Sequence, residues 1–255
     1  MGVWGSGFGY VSSTNEYKVV RIIFETETET EFMFENDTEF MEVHAYTLGS
    51  GKGWRNLGNF NLGTREYLGA GIFFNGVLYW LNNQSKMIFP FDLAEEKFCE
   101  NLSPPPSPPE YEFDYDSNLW VLDGCLSFVI SGHVNEAECS DVWLLRNKDD
   151  NHGMIQQVGH QSIGWSEVFR LFDIEIFAVI KSYSVLTYKG NHINIHDPKA
   201  STSETIVVFE ENIGVVFPHK NTFVSLKELG EEDTKRMESV EIEETEGHAQ
   251  PFNQL

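Results

Sequence analysis

An all-β, propeller-like array of antiparallel blades is the fold class that this sequence predicts, and three observations predict it. The first is a recurring unit: a glycine turn, a strand ending in aromatic or branched residues, a gap, then a second strand running into Asp-Leu or Trp-Leu. It reads G-V-L-Y-W-L from Gly76 with I-F-P-F-D-L from Ile88, then G-C-L-S-F-V from Gly124 with D-V-W-L-L from Asp141. A weaker copy is S-Y-S-V-L-T-Y from Ser182 with I-N-I-H-D-P from Ile193. Gly76 and Gly124 lie 48 residues apart, and Asp141 and Asp197 lie 56 apart. Periods of roughly 40–50 residues built from short strands indicate kelch-like blades or a similar β array. The second observation is the aromatic content, 20 Phe, 9 Tyr and 6 Trp, side chains suited to pleated, half-buried surfaces. The third is that helical periodicity is almost absent.

Each element follows from local pattern. Gly7–Phe24 is two strands around the polar turn Ser12–Glu16, with Tyr17, Val19 and Arg21 on one face and Lys18, Val20 and Ile22 on the other. The T-E-T-E-T-E stretch that follows has no apolar face to bury, and is expected to be a loop. A strand resumes over Phe40–Leu48, and G-S-G-K-G is its turn. The next strand opens at Gly53-Trp54, and Gly164-Trp165 is expected to open an outer strand in the same way. Asp92–Lys97 is expected to link two strands rather than form a helix. The run Ser103–Pro109 cannot join a ladder and is expected to be an inter-blade loop, although it contains P-x-x-P spacing. The predicted organisation is a propeller-like domain over residues 1–228 and a disordered acidic tail over 229–255.

Charge narrows the partners. The chain carries 40 acids against 17 bases, a formal net charge of -23, which repels a phosphate backbone and argues against nucleic acid. Glu25–Glu42 holds eight acids and no base, and Glu228–Glu246 holds nine acids against Lys235 and Arg236. Such runs read as solvated segments, and a basic partner is the functional alternative. No apolar run approaches the roughly 18 residues a membrane helix needs. The N-terminal M-G-V-W-G-S fits an acylation pattern, but no polybasic second signal follows, so no membrane partner is expected. Cys99, Cys125 and Cys139 form no C-x-x-C pair, which suits a reducing compartment, cytoplasmic or nuclear.

Chemistry-bearing patterns are sparse. No G-x-S-x-G occurs, and G-S-G-F-G from Gly5 lacks the dinucleotide spacing. His192 and His196, four apart on a strand, would lie roughly 13 Å from each other, too far to share a metal. Asp92, Asp141 and Asp197 recur at corresponding places in the units. Repeated carboxylates could line a tunnel, as in propeller glycosidases; the simpler reading is that each bonds turn amides beside its strand. No catalytic, cofactor-binding or metal-binding residue is therefore assigned, no cofactor is expected, and the chain is not expected to be an enzyme. Tyr79-Trp80, Leu119-Trp120 and Val142-Trp143 read as blade packing. Tyr111, Phe113 and Tyr115 alternate with acids after the proline run, and are the candidate partner-binding residues, since exposed aromatics anchor interfaces.

Eight ordered motifs resemble the plant F-box-associated interaction domain, the substrate-binding half of a large group that includes the pollen S-locus F-box proteins. They are G-F-G-Y-x-x-S-T-N-E-Y-K-V-V-R at Gly7–Arg21, Y-T-L-G-S-G-x-G-W-R at Tyr46–Arg55, N-G-V-L-Y-W-L at Asn75–Leu81 and F-D-L-A-E-E-K-F at Phe91–Phe98. The others are L-x-G-C-L-S at Leu122–Ser127, D-V-W-L-L at Asp141–Leu145, G-W-S-E-V-F at Gly164–Phe169 and F-V-S-L at Phe223–Leu226. The resemblance implies recognition of a target protein for ubiquitination by an SKP-cullin-F-box ligase. The helical F-box and the family's first strand unit, with its C-N-G-L-L stretch, are not in this sequence. The array is therefore expected to be incomplete at its N-terminal side, and contact with the SKP adaptor and cullin is expected only through an upstream F-box. The alternatives are an F-box-less decoy that binds the target without delivering it, and a propeller glycoside hydrolase built on Asp92, Asp141 and Asp197.

Overall fold

The computed structural model describes residues 2–24, 40–61, 67–107, 111, 115–122, 124–135, 137–147, 154–158, 161–172, 175–179, 184–197, 200 and 202–211. The described secondary structure is entirely β, in four sheets taken in chain order. The first contains β1 (Gly2–Val11), β2 (Glu16–Phe24), β3 (Met41–Thr47), β4 (Arg55–Phe60) and the short β5 (Gly69–Ala70), in the order β4-β3-β2-β1-β5. The second is the meander β6 (Ile72–Phe74), β7 (Val77–Leu81), β8 (Ile88–Asp92) and β9 (Lys97–Phe98). The third contains β10 (Asp116–Leu122), β11 (Cys125–Val134), β12 (Ala137–Asn147), β13 (Met154–Val158) and β14 (Gln161–Phe172), in the order β10-β11-β12-β14-β13. The fourth is β15 (Glu175–Val179), β16 (Val185–Lys189), β17 (His192–Asp197) and β18 (Thr202–Val208). Apart from the short parallel contact of β5 with β1, every pairing is antiparallel, and such sheets following one another in chain order are the blades of a propeller.

The recurring unit is the hairpin at the heart of each later blade: β7–β8, β11–β12 and β16–β17. The turn that leads into β7 comes from local chemistry. Asn75 and Gly76 both have positive φ, 48° and 82°, between paired Phe74 and Val77. That is the two-residue turn whose twist matches antiparallel strands.

Successive blades share apolar cores. Val20, Ile22 and Val43 of the first pack with Leu78, Trp80, Phe89 and Phe91 of the second. Ile88 and Leu102 of the second pack with Leu126, Phe128 and Trp165 of the third. Val129, Val142 and Leu144 of the third pack with Ile176 and Val185 of the fourth. The first of these contacts depends on the glycines of β1. Gly5, Gly7 and Gly9, two apart, present one bare face of the strand to Trp80, Leu78, Phe73 and Leu93. A Cβ on Gly7 would stand 2.7 Å from Leu78 Cδ1. Trp80, fully buried, donates its indole N–H to the carbonyl of Ser6 at 3.1 Å.

A polar clamp crosses the same junction. Lys18, only 6% exposed, donates to the carbonyl of Leu93 at 2.8 Å and to Glu96 Oε1 at 2.7 Å. Arg55 grips the same carboxylate through both terminal nitrogens, at 2.7 and 2.5 Å. Hydrogen bonds from Arg55, opposed by partial burial and reinforced by Lys18, bring the Glu96 carboxyl down from 4.5 to about 2.

Two expectations need correction. Trp54 does precede an edge strand, but Trp165 lies inside β14, between β12 and β13, and is buried. Its N–H donates to the carbonyl of Ser103, so it locks the proline-rich loop rather than opening an outer strand. Asp92 and Asp197 accept turn amides from Ala94 and Glu95 and from Ala200, as expected. Asp141 does not: it sits mid-strand on β12, fully buried, and takes a two-point ion pair from Arg170 of β14 at 2.5 and 2.8 Å.

Candidate functional site: an aromatic face on the first blade

Alternation along β2 and β3 divides the first blade into two faces. Lys18, Val20, Ile22, Met41, Val43 and Ala45 are buried towards the second blade. The opposite face carries Tyr17, Val19 and Arg21 of β2 and Glu42, His44 and Tyr46 of β3, all partly exposed. Register adds Phe8, opposite Val19, and Tyr10, opposite Tyr17. None of the three described apolar clusters includes a residue of this face.

Its rings are pre-arranged. Phe8 stacks on Tyr17 at 5.7 Å with planes 7° apart, and Tyr10 meets Tyr17 at 5.0 Å. Tyr46 meets Trp54 at 5.6 Å, and the guanidinium of Arg21 lies 4.2 Å from the Trp54 ring centre. Phe8 is nevertheless 52% and Trp54 43% exposed. Arg21 is held in turn: it donates to His44 Nδ1 at 3.3 Å, leaving His44 Nε2 to donate to Glu42 at 3.0 Å. Hydrogen bonding from His44 holds the Glu42 carboxyl below its ordinary range. A rigid, half-exposed cluster of Tyr, Trp and Arg is the residue set that anchors protein interfaces.

The candidates proposed from sequence lie elsewhere. Tyr111 and Tyr115 are brought together, ring centres 6.0 Å apart, in the core between the second and third blades. Tyr111 donates to the carbonyl of Ile130 at 3.3 Å and accepts from the Cys139 thiol at 3.1 Å; burial and that thiol push its hydroxyl above the ordinary range. Arg170 stands 5.9 Å from the Tyr111 ring, and Lys86 of the second blade stands 5.2 Å from the Tyr115 ring. Both rings are half-buried, so part of each remains open to a partner. Phe113 lies outside the described residues, as do Phe223–Leu226 and the tail 229–255.

Phe8 does not stand out in the sequence, and Trp54 stands out only as the residue that opens a strand. The available signal for Phe8 was the glycine spacing on the other side of β1, which identifies the face that a neighbour must approach closely. Among the described residues, no group of three or more His, Cys, Asp or Glu side chains could hold a metal ion. Asp92, Asp141 and Asp197 do not share one role, because Asp141 is consumed by Arg170 while the other two bind turn amides. No described helix is long and apolar enough to cross a membrane.

Residues 4–207 match the family model described as the F-box associated beta propeller domain. Comparison with curated proteins gives no match.

Proposed function

The chain belongs to the F-box associated beta propeller domain family, and from that premise we propose that it recognises a target protein for ubiquitination by an SKP-cullin-F-box ligase. The observation that carries this reading is the aromatic face of the first blade, pre-arranged and left outside the three described blade-to-blade cores. The domain performs no chemistry of its own. It supplies affinity, and the ligase supplies the reaction. Tyr111, Phe113 and Tyr115, which follow the proline-rich run in the sequence, belong to the same proposal as further partner contacts. The plant, S-locus-like kinship suggested by the motifs and a cytoplasmic or nuclear location belong to the same proposal, as does a division into a domain over 1–228 and an acidic tail over 229–255.

Adaptor docking needs a helical module, and among the described residues there is no helix to provide it. The domain by itself therefore acts as a decoy, occupying the target's degradation surface. Joined to an F-box, it delivers the target. The test is to fuse an F-box ahead of Met1, keeping β1 whole, and to reconstitute the ligase with the SKP adaptor and cullin. Proteins retained by the domain should be ubiquitinated by the fusion, spared without the F-box, and lengthened in half-life when the domain alone is overexpressed. Stoichiometric adaptor binding by residues 1–255 alone, or ubiquitination indifferent to the domain, would overturn the proposal.

A further inference from the structure

We infer that the open face of the first blade reads an aspartate or glutamate side chain within an apolar segment of its partner protein, and that Arg21 is the residue that reads it. This rests on the target-recognition reading above and adds the chemistry of the contact. Arg21 stands on β2 opposite His44 of β3. Its guanidinium lies 4.2 Å from the Trp54 ring centre, and Nη2 meets His44 Nδ1 at 3.3 Å. Among the described residues no carboxylate pairs with it, Nη1 has no acceptor, and Nε is buried without one. Stacking on a ring removes water from one side of a guanidinium and leaves its edge free for a planar, charge-assisted contact with a carboxylate.

The other charge of this face is already engaged. Glu42 accepts from His44 Nε2 at 3.0 Å and from Asn56 Nδ2 at 3.2 Å, so the imidazole takes up both neighbours without closing an Arg21–Glu42 ion pair. Cations at the junctions are treated differently: Lys18 and Arg55 share Glu96, and Arg170 holds Asp141. In a chain of 40 acids, Arg21 is left without such a partner on the one face that no described core covers. Phe8, Tyr17, Tyr46 and Trp54 stand around it, which sets the apolar character of the residues flanking the acid. The net charge of -23 slows the approach of an acidic segment. It is screened beyond about 8 Å at physiological salt, so the groups on the face itself decide the contact.

The test uses the full chain and a fluorescein-labelled leucine-serine repeat peptide with one central aspartate, beside its asparagine and lysine counterparts, read by anisotropy at physiological salt. The aspartate peptide should bind at least about tenfold more tightly than either counterpart, the size expected for a hydrogen bond between charged groups. Arg21→Gln should bring the three to within about twofold of one another, and Arg21→Lys, which keeps the charge without the fork, should retain part of the preference. Phe8→Ser should weaken all three alike, since it removes the shared apolar contact. Lys97→Gln, an exposed cation on β9 of the second blade, should change the preference less than about twofold. Equal binding of the aspartate and asparagine peptides by the unaltered chain would overturn the inference, and this comparison needs no variant to fold. So would failure to bind any of the three, tighter binding of the lysine peptide, or a preference that survives Arg21→Gln. A dimer of the unaltered chain that Phe8→Ser dissociates would overturn it too, since a second copy would then hold the face. Ubiquitination of a retained target by the F-box fusion is read separately. If it persists while the peptide preference fails, the chemistry of the contact is wrong and the function stands.

Discussion

Replacing Glu96 by Gln tests whether a single carboxylate holds the first two blades together. The side chain answers two cations from the first blade, Lys18 of β2 and Arg55 of β4, from the turn between β8 and β9 of the second. Gln keeps the shape and removes the charge. Lowering the carboxyl from 4.5 to about 2 on folding corresponds to about 3 kcal/mol at neutral pH, at ~1.4 kcal/mol per pH unit. Stranding Lys18, whose ammonium is nearly buried, is of the same size, ~3–5 kcal/mol for an orphaned partner of a buried pair. These are two views of one interaction, so the expected loss is about 3 kcal/mol, or roughly 6–12 °C in melting temperature for a chain of this length. The sign with pH follows from the lowered value. The stabilisation is complete above about pH 4.5 and disappears as pH falls through about 2. Subtracting the variant's urea-derived stability from that of the parent therefore gives a difference that is flat near neutrality and shrinks below pH 4.5. Adding Lys18→Met to Glu96→Gln should recover much of the loss, because the orphaned charge is removed. A difference under about 0.5 kcal/mol at pH 7, or one that does not fall with acid, would refute the clamp.

Trp80→Ala should cost about 3–5 kcal/mol, since the indole is fully buried and its N–H loses the Ser6 carbonyl; a change under 1 kcal/mol in the denaturant midpoint would place the ring outside the core. Gly9→Val should cost about 2–3 kcal/mol through overpacking, because even a Cβ would stand 2.5 Å from Leu93 Cδ1 and closer still to the Phe73 ring; wild-type melting would show that the two blades can separate freely. Residues 229–255 should be removed first by limited proteolysis, since an acid-rich segment gains too little burial to offset about 1–2 kcal/mol of ordering entropy per residue. A tail as resistant as residues 70–100, or a core destabilised by its removal, would contradict that expectation.

The blade architecture was legible because its signals are local. The Asn75-Gly76 turn specifies the β6–β7 hairpin, and period-two strands bounded by turn residues mark β7–β8, β11–β12 and β16–β17 in the sequence. What was not legible depends on neighbours distant in the chain. Asp92 and Asp141 precede similar Leu-containing stretches, yet only Asp141 has an arginine across the ladder, 29 residues away. Trp54 and Trp165 share a Gly-Trp signature, but β14 is paired on both sides while β4 is an edge. The same limit hides the aromatic face. Alternation shows that β2 has a Tyr17-Val19-Arg21 side and a Lys18-Val20-Ile22 side, without saying which one is covered. Hydropathy alone would hesitate, since both sides carry apolar atoms and the covered side contains a lysine. The glycines of β1 decide it. Bare backbone at Gly5, Gly7 and Gly9 is destabilising in a strand unless something large must come close, and Trp80, Leu78 and Leu93 do. The rings of Phe8 and Tyr10, on the other side of the same strand, are thereby assigned to the surface. A glycine at every second position thus marks the packed face of β1, and its aromatic neighbours Phe8 and Tyr10 mark the face that stays open.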